Sequence, residues 1–198
     1  IVSEENTLED NIAACKTGNY FMIDPLDGTS GFIKQSDEFT VNIAYIENYT
    51  IAFGMIYCPV QKILYYTNIN GESIKKDCNN NTESTIQAST NTQQLNVIAT
   101  KRDPEKSDII AELNQHQLSI ENIVSISSSY KFCLMAEGAA DLYPRRANIS
   151  AWDIAAGHAI VNGANGQLLN INGTEIRYEF ISDFKMPHFN VFGQNKLF

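Results

Sequence analysis

Short apolar runs separated by turn residues predict β-strands through the first half of the chain. Four runs have strand length: residues 20–23, 39–46, 51–57 and 62–67. The last three follow one another closely and predict an antiparallel meander. The polar residues 6–19 predict a mobile surface loop. Residues 68–94, rich in Asn, Thr, Ser and Gln, predict a hairpin tip and a connection between two lobes.

The second half alternates between short apolar runs and segments with a helical period. Helices are predicted at residues 104–115, where Pro104 suits a helix start, at 127–136 and at 151–162. Strands are predicted at 97–99, 123–126, 140–143, 167–169 and 190–193. This alternation is typical of an α/β lobe. We therefore predict an α/β (α+β) chain, with an N-terminal antiparallel lobe at 1–92 and a C-terminal α/β lobe at 93–198.

Two carboxylates follow the first strand, in the string Asp24-Pro25-Leu26-Asp27-Gly28-Thr29. Pro25 has no N–H to donate, so the strand is predicted to end at Asp24 and to leave the next carbonyls unpaired. Carboxylates beside a free carbonyl suit Mg²⁺, which prefers hard oxygen ligands. The amides of Gly28 and Thr29 are placed to bind an anion. Asp-Pro and Asp-Gly pairs are also common in ordinary turns, and that interpretation stays open at this point.

A second string, Trp152-Asp153-Ile154-Ala155-Ala156-Gly157, makes the first more specific. The pair resembles the signatures of the inositol-monophosphatase superfamily of Mg²⁺-dependent, lithium-sensitive phosphatases. The segments 38–44, 128–133 and 142–145 resemble its CysQ-type branch, the 3'(2'),5'-bisphosphate nucleotidases. The resemblance covers residue 3 to about residue 170. It implies a layered α-β-α-β-α sugar-phosphatase fold with the site between the lobes.

The resemblance also implies how two or more Mg²⁺ ions are held. Asp24 bridges both ions, Glu4 and the Leu26 carbonyl complete the first site, and Asp27 and Asp153 hold the second. Each acid has a simpler interpretation as well. Glu4 is by itself a plain surface acid, and an aspartate such as Asp153 stabilises a helix start by ~0.3–1 kcal/mol through the dipole.

Substrate contacts are implied at the same positions and at three more. Glu4 and Thr29 orient the attacking water, while Ser128, Lys131 and Arg145 contact the nucleotide and its second phosphate. Alternatively, Lys131 is a solvated residue on a helix face and Arg145 a surface charge. The full set of implied substrate-binding residues is Glu4, Leu26, Asp27, Gly28, Thr29, Ser128, Lys131, Arg145 and Asp153.

The sequence departs from the branch in three places. Ser30-Gly31 replaces Lys-Glu after the Gly-Thr pair, and Lys101-Arg102 stands where a Ser-His is usual. These changes affect the loop at the helix start and the recognition of base or ribose. The helical segment that precedes Ile1 in the superfamily is absent, so we expect a fragment or a member shortened at its front.

Composition restricts the partners. The chain has 198 residues, of which 43% are hydrophobic, and a net charge of −9. An acidic chain without a basic run is poorly suited to bind nucleic acid through its phosphates. The four cysteines are scattered, which indicates reduced thiols in a cytoplasmic protein. No apolar run reaches the ~20 residues of a membrane helix. Peripheral membrane association and a homodimer are left open.

The function implied is Mg²⁺-dependent hydrolysis of adenosine 3',5'-bisphosphate to AMP and phosphate, with Li⁺ inhibition. One alternative is the same chemistry on inositol monophosphate or another sugar phosphate. The other is a non-catalytic module that binds metal and anion.

Overall fold

The computed structural model describes residues 1–100, 106–179 and 183–198. The first sheet has seven strands that neighbour one another in chain order. Strand β1 pairs with β2 in parallel, and every later pair in this sheet is antiparallel. The strands are β1 (Val2–Ser3), β2 (Tyr20–Asp27), β3 (Thr40–Glu47), β4 (Thr50–Cys58), β5 (Ile63–Thr67), β6 (Ser73–Asp77) and β7 (Thr82–Thr85).

The second sheet has five strands: β8 (Leu95–Thr100), β9 (Ile120–Ile126), β10 (Leu142–Arg145), β11 (Gln167–Asn170) and β12 (Phe189–Phe192). Their order across the sheet is β11-β12-β10-β8-β9. The strands β10, β8 and β9 run parallel, and β12 is antiparallel to both of its neighbours. The parallel strands are joined by helical connections, as the βαβ rule requires.

Five helices lie in the described residues: α1 (Leu8–Cys15), α2 (Thr29–Ile33), α3 (Lys106–Gln115), α4 (Tyr130–Ala136) and α5 (Ala151–Gly163). Helix α5 contacts strands β2 to β6 and also β11, and α4 contacts β4, β10 and β12. Both helices therefore lie between the two sheets. Helix α3 packs on the second sheet through a separate apolar cluster that contains Ile109 and Leu113. The main core contains residues of both sheets and of α4 and α5.

The predicted strands and helices are present with small differences in their bounds. The polar segment 68–94 contains the β6–β7 hairpin, as predicted. Residues 104 and 105 of the helix predicted at 104–115 lie outside the described residues, and α3 covers residues 106–115. The lobe boundary at residue 92 stays a prediction. Within the described residues, no helix is long and apolar enough to cross a membrane.

The prediction of a surface loop at 6–19 is wrong, because this segment contains α1. The Thr7 hydroxyl accepts a hydrogen bond from the Asp10 amide at 3.2 Å and caps the helix. Asn11 is buried and bonds Ser3 through both side-chain groups, which ties α1 to the end of β1. The helix is thus stabilised by a cap and by a polar contact, and neither of these gives the sequence a helical period of apolar residues.

The prediction that the first strand ends at Asp24 is also wrong. Strand β2 continues through Pro25 to Asp27, with a register shift against β3 between Asp24 and Asp27. A bulge of this kind accommodates the missing N–H of proline and redirects the side chains that follow.

Helix α5 lies unusually close to its neighbours because two glycines face the contact. A Cβ on Gly54 of β4 would lie 2.3 Å from the Ala156 carbonyl oxygen and 2.7 Å from the Ala159 Cβ. A Cβ on Gly157 would lie 2.2 Å from the Phe132 ring of α4. The absence of these two side chains sets how far α5 sits from β4 and α4, and it thereby sets the position of Asp153.

Candidate functional site

One cavity of about 500 Å³ takes its walls from residues of both sheets. The parallel strands β8, β9 and β10 end at it, which is where ligands bind in sheets of this kind. All ten of the predicted site residues line this cavity: Glu4, Asp24, Leu26, Asp27, Gly28, Thr29, Ser128, Lys131, Arg145 and Asp153. The fold therefore brings the predicted set together, while the roles assigned to its members stay predictions.

Three carboxylates meet in the cavity wall. One oxygen from each of Asp24, Asp27 and Asp153 lies within 4.8 Å of the others. Asp24 is fully buried, and its Oδ1 accepts a hydrogen bond from the Leu26 amide at 2.9 Å. Its Oδ2 is buried and has no hydrogen-bond partner within the described part of the chain. A buried carboxylate oxygen left unpaired is costly, so this oxygen is expected to have a partner that is a bound ligand.

The charges of this cluster repel one another. Burial, and then the negative charge of Asp27, raise the pKa of the Asp24 carboxyl to about 8. The same two causes, in the same order, raise the pKa of Asp153 to about 6. A divalent cation between the carboxylates would remove both effects, because it replaces the lost solvation and neutralises the like charges.

Asp27 is held by α4. Its Oδ2 accepts a hydrogen bond from the Ser129 amide at the start of this helix. Burial raises the pKa of Asp27, and the positive charge of Lys131 opposes this increase. Burial also lowers the pKa of the Lys131 ammonium to about 8, against the attraction of Asp27. The opposite charges of these two side chains therefore attract each other at the junction of the sheets.

Asp153 serves both its helix and the cluster. Its Oδ2 accepts a hydrogen bond from the Ser150 amide at 3.0 Å, and the Ser150 hydroxyl caps the Asp153 amide in return. The Lys185 ammonium donates to the Ser150 hydroxyl at 2.9 Å. The interpretation of Asp153 as a helix-start residue is thus correct, and the same bonds fix its carboxylate beside the other two.

Glu4 reaches the cavity from the end of β1. Strand β1 lies next to β2 with Ser3 opposite Ile23, so Glu4 follows at the level of Asp24. Burial, then Glu5 and then Asp27, raise the pKa of the Glu4 carboxyl. The Glu4 carboxylate is thus close enough to feel the charge of the acidic cluster, although Glu4 is exposed to solvent.

The turn after the carboxylates needs glycine. Gly28 has φ +88°, and a Cβ there would lie 2.8 Å from the Glu38 carbonyl oxygen. The turn directs Thr29 back, so that its hydroxyl donates to the Leu26 carbonyl oxygen at 3.3 Å. This carbonyl still has a free lone pair. Ser30, one of the departures from the branch, also lines the cavity.

The opposite wall carries positive charge. Lys131 is 6% exposed and donates to the Ser128 carbonyl, and its ammonium lies 5.7 Å from the centre of the Tyr143 ring. Its interpretation as a solvated surface residue is therefore wrong. The Arg145 guanidinium donates to the Asn148 carbonyl at 3.1 Å. Ser128 has φ +56°, a strained conformation outside glycine that is often found at functional sites.

A buried polar network behind Asp27 was not predicted. The Ser129 hydroxyl lies 2.6 Å from the Thr40 hydroxyl and 2.6 Å from the Asn42 Oδ1, and all three residues are almost fully buried. It links β3 to α4 directly beneath the carboxylates. Its only signal in the sequence is that Thr40 and Asn42 occupy alternate positions of a strand, where apolar residues would be expected on a buried face. Lys101 and Arg102, the second departure from the branch, lie outside the described residues.

Comparison with known proteins identifies the family. A model described as "Inositol monophosphatase family" matches residues 1–194. The chain belongs to the inositol monophosphatase family. The 3'(2'),5'-bisphosphate nucleotidase CysQ of Salmonella typhimurium is 41% identical over 173 residues, which are 87% of this chain and 67% of that protein. The chain thus spans about two thirds of the length of such curated relatives.

Solved structures of the family confirm the predicted α/β fold. The structure of CysQ from Bacteroides thetaiotaomicron aligns with a TM-score of 0.84 and 30% identity, covering 98% of this chain and 77% of that one. The IMPase of Thermotoga maritima aligns with a TM-score of 0.75 and 21% identity, covering 97% of this chain and 68% of that one. The second match concerns the fold alone.

The raised pKa of Asp24 predicts how stability depends on pH without divalent ions. Between pH 6.5 and about 8 we expect the free energy of unfolding to fall by about 1 kcal/mol, or the Tm by about 3 °C, after allowance for solvent screening. A carboxyl whose folded pKa lies above its ordinary 3.8 holds its proton more tightly in the fold. Its contribution is complete below pH 3.8 and is lost as the pH rises through 8.

Other groups with shifted pKa values also act near this pH range. Asp153, whose pKa is raised to about 6, has lost most of its contribution by pH 6.5, and the raised pKa of Asp27 acts in the same direction as that of Asp24. Burial lowers the pKa of His158 from 6.5 to about 4, so His158 destabilises the fold only below pH 6.5. The lowered pKa of Lys131 adds stability only as the pH rises above about 8. Thermal unfolding in a chelating buffer measures the decrease, and Asp24→Asn is expected to make it smaller. An equal slope in that variant would show that another group is responsible.

Proposed function

We propose that this chain is a Mg²⁺-dependent 3'(2'),5'-bisphosphate nucleotidase that converts adenosine 3',5'-bisphosphate to AMP and phosphate. The observation that carries the proposal is the composition of one cavity. It contains three converging carboxylates, of which Asp24 has a buried unpaired oxygen, and the cations Lys131 and Arg145. Two positive side chains near a metal cluster suit a substrate with two phosphates.

The carboxylates fit Mg²⁺, because the cluster offers only hard oxygen atoms. Asp24 would bridge two ions, with Glu4 and the Leu26 carbonyl on the first, and Asp27 and Asp153 on the second. When bound, the ions supply an acidic water and charge stabilisation for the departing ribose oxygen. The name CysQ of the relatives at 36–41% identity supports the same assignment.

The chain's own residues position the water and the phosphate. Thr29 donates its hydroxyl proton to the Leu26 carbonyl, so the Thr29 oxygen is left to accept a hydrogen bond from the attacking water. Glu4 would accept the second proton of this water. Lys131 and Arg145 would neutralise the phosphate that is retained, and the Ser128 hydroxyl would contact the nucleotide.

The proposed location is the cytoplasm, and the proposed partner is a small molecule. All four cysteines are free, with three of them buried, which supports the cytoplasm as its location. The partner is a small phosphorylated nucleotide. The homodimer stays a prediction.

Phosphate release from two substrates tests the function. With Mg²⁺, kcat/KM for adenosine 3',5'-bisphosphate is expected to exceed that for inositol 1-phosphate by about 50-fold, because only the former has a second phosphate for the two cations. Chelation of the metal should remove activity, and Li⁺ should inhibit it. Asp153→Asn controls for contaminating phosphatase.

Two results would contradict the proposal in different ways. A preference for inositol 1-phosphate would indicate that the chain is a sugar phosphatase of the same family. Mg²⁺ binding by calorimetry without phosphate release from either substrate would favour the non-catalytic module.

A further inference from the structure

Three polar side chains form a row beneath the carboxylates, where α4 meets β3. Thr40 and Asn42 of β3 and Ser129 at the start of α4 are each 1% exposed. The Ser129 hydroxyl has one proton and donates it to the Asn42 Oδ1 at 2.6 Å. The Thr40 hydroxyl lies 2.6 Å from the Ser129 oxygen and must therefore be the donor in that second bond. The row thus runs in one direction, from Thr40 through Ser129 to the carbonyl end of the Asn42 amide.

The other end of this amide faces the carboxylates. Asn42 is paired with Asp24 across β3 and β2, and residues paired in this way carry their side chains on the same face of the sheet. The Asn42 Nδ2 is buried and has no hydrogen-bond partner of good geometry within the described part of the chain. Burial raises the pKa of Asp27, and the Asn42 side chain is one of the groups that oppose this increase, so the amide also lies near Asp27. A buried N–H₂ group with two protons to donate thus lies beside two carboxylates.

The hydroxyls determine which end of the amide points at the carboxylates. An asparagine amide fits the same space in either orientation, because its oxygen and its N–H₂ group have nearly the same shape. In the opposite orientation, the carbonyl oxygen would face the carboxylates and repel them. While Thr40 donates to Ser129, the Ser129 proton is available for the Asn42 oxygen, and this bond keeps the N–H₂ group on the side of the carboxylates.

We propose that Thr40 is a positioning residue for the metal site: through Ser129 it turns the N–H₂ group of Asn42 toward Asp24 and Asp27, and so holds both carboxylates ready for a divalent ion. Hydrogen bonds that orient metal ligands from outside typically change metal affinity by about 10- to 100-fold when they are lost. This inference rests on the proposed function, since it concerns the ions that the same carboxylates would hold. It assigns a role to a neutral residue of β3 that does not itself line the cavity.

Two substitutions at Thr40 test this role through the binding of Mg²⁺ to the protein without substrate. Thr40→Val keeps the shape and removes the hydroxyl, and calorimetry is expected to give a Kd for Mg²⁺ about tenfold above that of the wild type. Thr40→Ser keeps the donor, so its Kd should lie within about twofold of the wild-type value. In phosphate release, Thr40→Val should need about tenfold more Mg²⁺ for half of its maximal rate. Its kcat at saturating Mg²⁺ should change by less than about twofold, because a bound ion then holds the carboxylates itself.

A matched control is Thr67→Val, which removes another buried threonine hydroxyl from the same sheet. The Thr67 hydroxyl accepts a hydrogen bond from the Gly54 amide at 3.2 Å, and Thr67 does not line the cavity. Both valine variants lose one buried hydrogen bond, so both should have a slightly lower Tm than the wild type. The Kd of Thr67→Val for Mg²⁺ should nevertheless equal that of the wild type.

The Kd values decide between a positioning role and a structural one. A wild-type Kd in Thr40→Val, or an equal increase in Thr67→Val, would overturn the inference. A Thr40→Ser variant that binds Mg²⁺ as weakly as Thr40→Val would overturn it as well. A wild type that binds Mg²⁺ but releases no phosphate would overturn the proposed function alone, since the Kd values would still decide the role of Thr40. A wild type that binds no Mg²⁺ would overturn both.

Discussion

Asp24→Asn is expected to reduce turnover of the bisphosphate by about 10³-fold without loss of stability. The substitution removes the carboxylate that would bridge the two ions, and several kcal/mol of charge stabilisation in the transition state depend on such a bridge. The asparagine oxygen can still accept from the Leu26 amide, and its N–H₂ group can donate to Asp27 or Asp153. Steady-state phosphate release measures the effect.

The stability of this variant is as informative as its rate. In the ligand-free wild type, burial and two neighbouring carboxylates disfavour the ionised form of Asp24, so a neutral asparagine should raise the Tm. Added Mg²⁺ should raise the Tm of the wild type and change that of Asp24→Asn much less. The matched control is Asp37→Asn, an exposed aspartate outside the cavity, which should behave as wild type in both measurements. A wild-type rate in Asp24→Asn would show that Asp24 does not bridge metal ions.

Gly54→Ala is expected to lower the free energy of unfolding by about 3 kcal/mol, or the Tm by about 10 °C. The new methyl group would lie 2.3 Å from the backbone oxygen of Ala156, and a backbone atom in the middle of a helix cannot move alone. Helix α5 must shift as a body, and Asp153 at its first turn shifts with it. Turnover measured well below the new Tm should therefore also fall.

A control in the same strand distinguishes this clash from a general sensitivity of β4. Ala52→Val adds a larger side chain two residues away, at an exposed position, and should change the Tm by less than about 1 °C. If Gly54→Ala were as stable as the wild type, the close approach of α5 to β4 would not determine the position of this helix.

The parts of the molecule that the sequence predicted are those with a local signal. The Asp24–Thr29 string and the Trp152-Asp153 helix start have fixed spacings, and the strand β3 alternates over its whole length. The structure adds that ten predicted residues line one cavity, which is a fact about tertiary placement. The resemblance to a family predicted that these residues share one site, which the residue pattern of a single sequence does not show.

What could not be predicted depends on contacts between distant segments. Helix α1 was not predicted because its apolar residues are too few to show a helical period. Its stability comes from the Thr7 cap and from the hydrogen bonds of the buried Asn11. The role of Ser129, at the start of α4, depends on Thr40 and Asn42, which lie on β3 of the first sheet. Ser128 at positive φ is held by its surroundings, because serine is not among the residue types, such as glycine and asparagine, that favour this conformation.

The hydrogen bond from Ser129 to Asp27 joins residues 102 positions apart in the chain. Each hairpin of the first sheet can pair early, since its strands are neighbours in the chain, whereas this bond requires the second sheet to have docked. We therefore expect the metal-binding geometry to be among the last features to appear during refolding. A chelating dye that reports the capture of Mg²⁺ would then follow the docking step itself, after most of the β-structure has already returned.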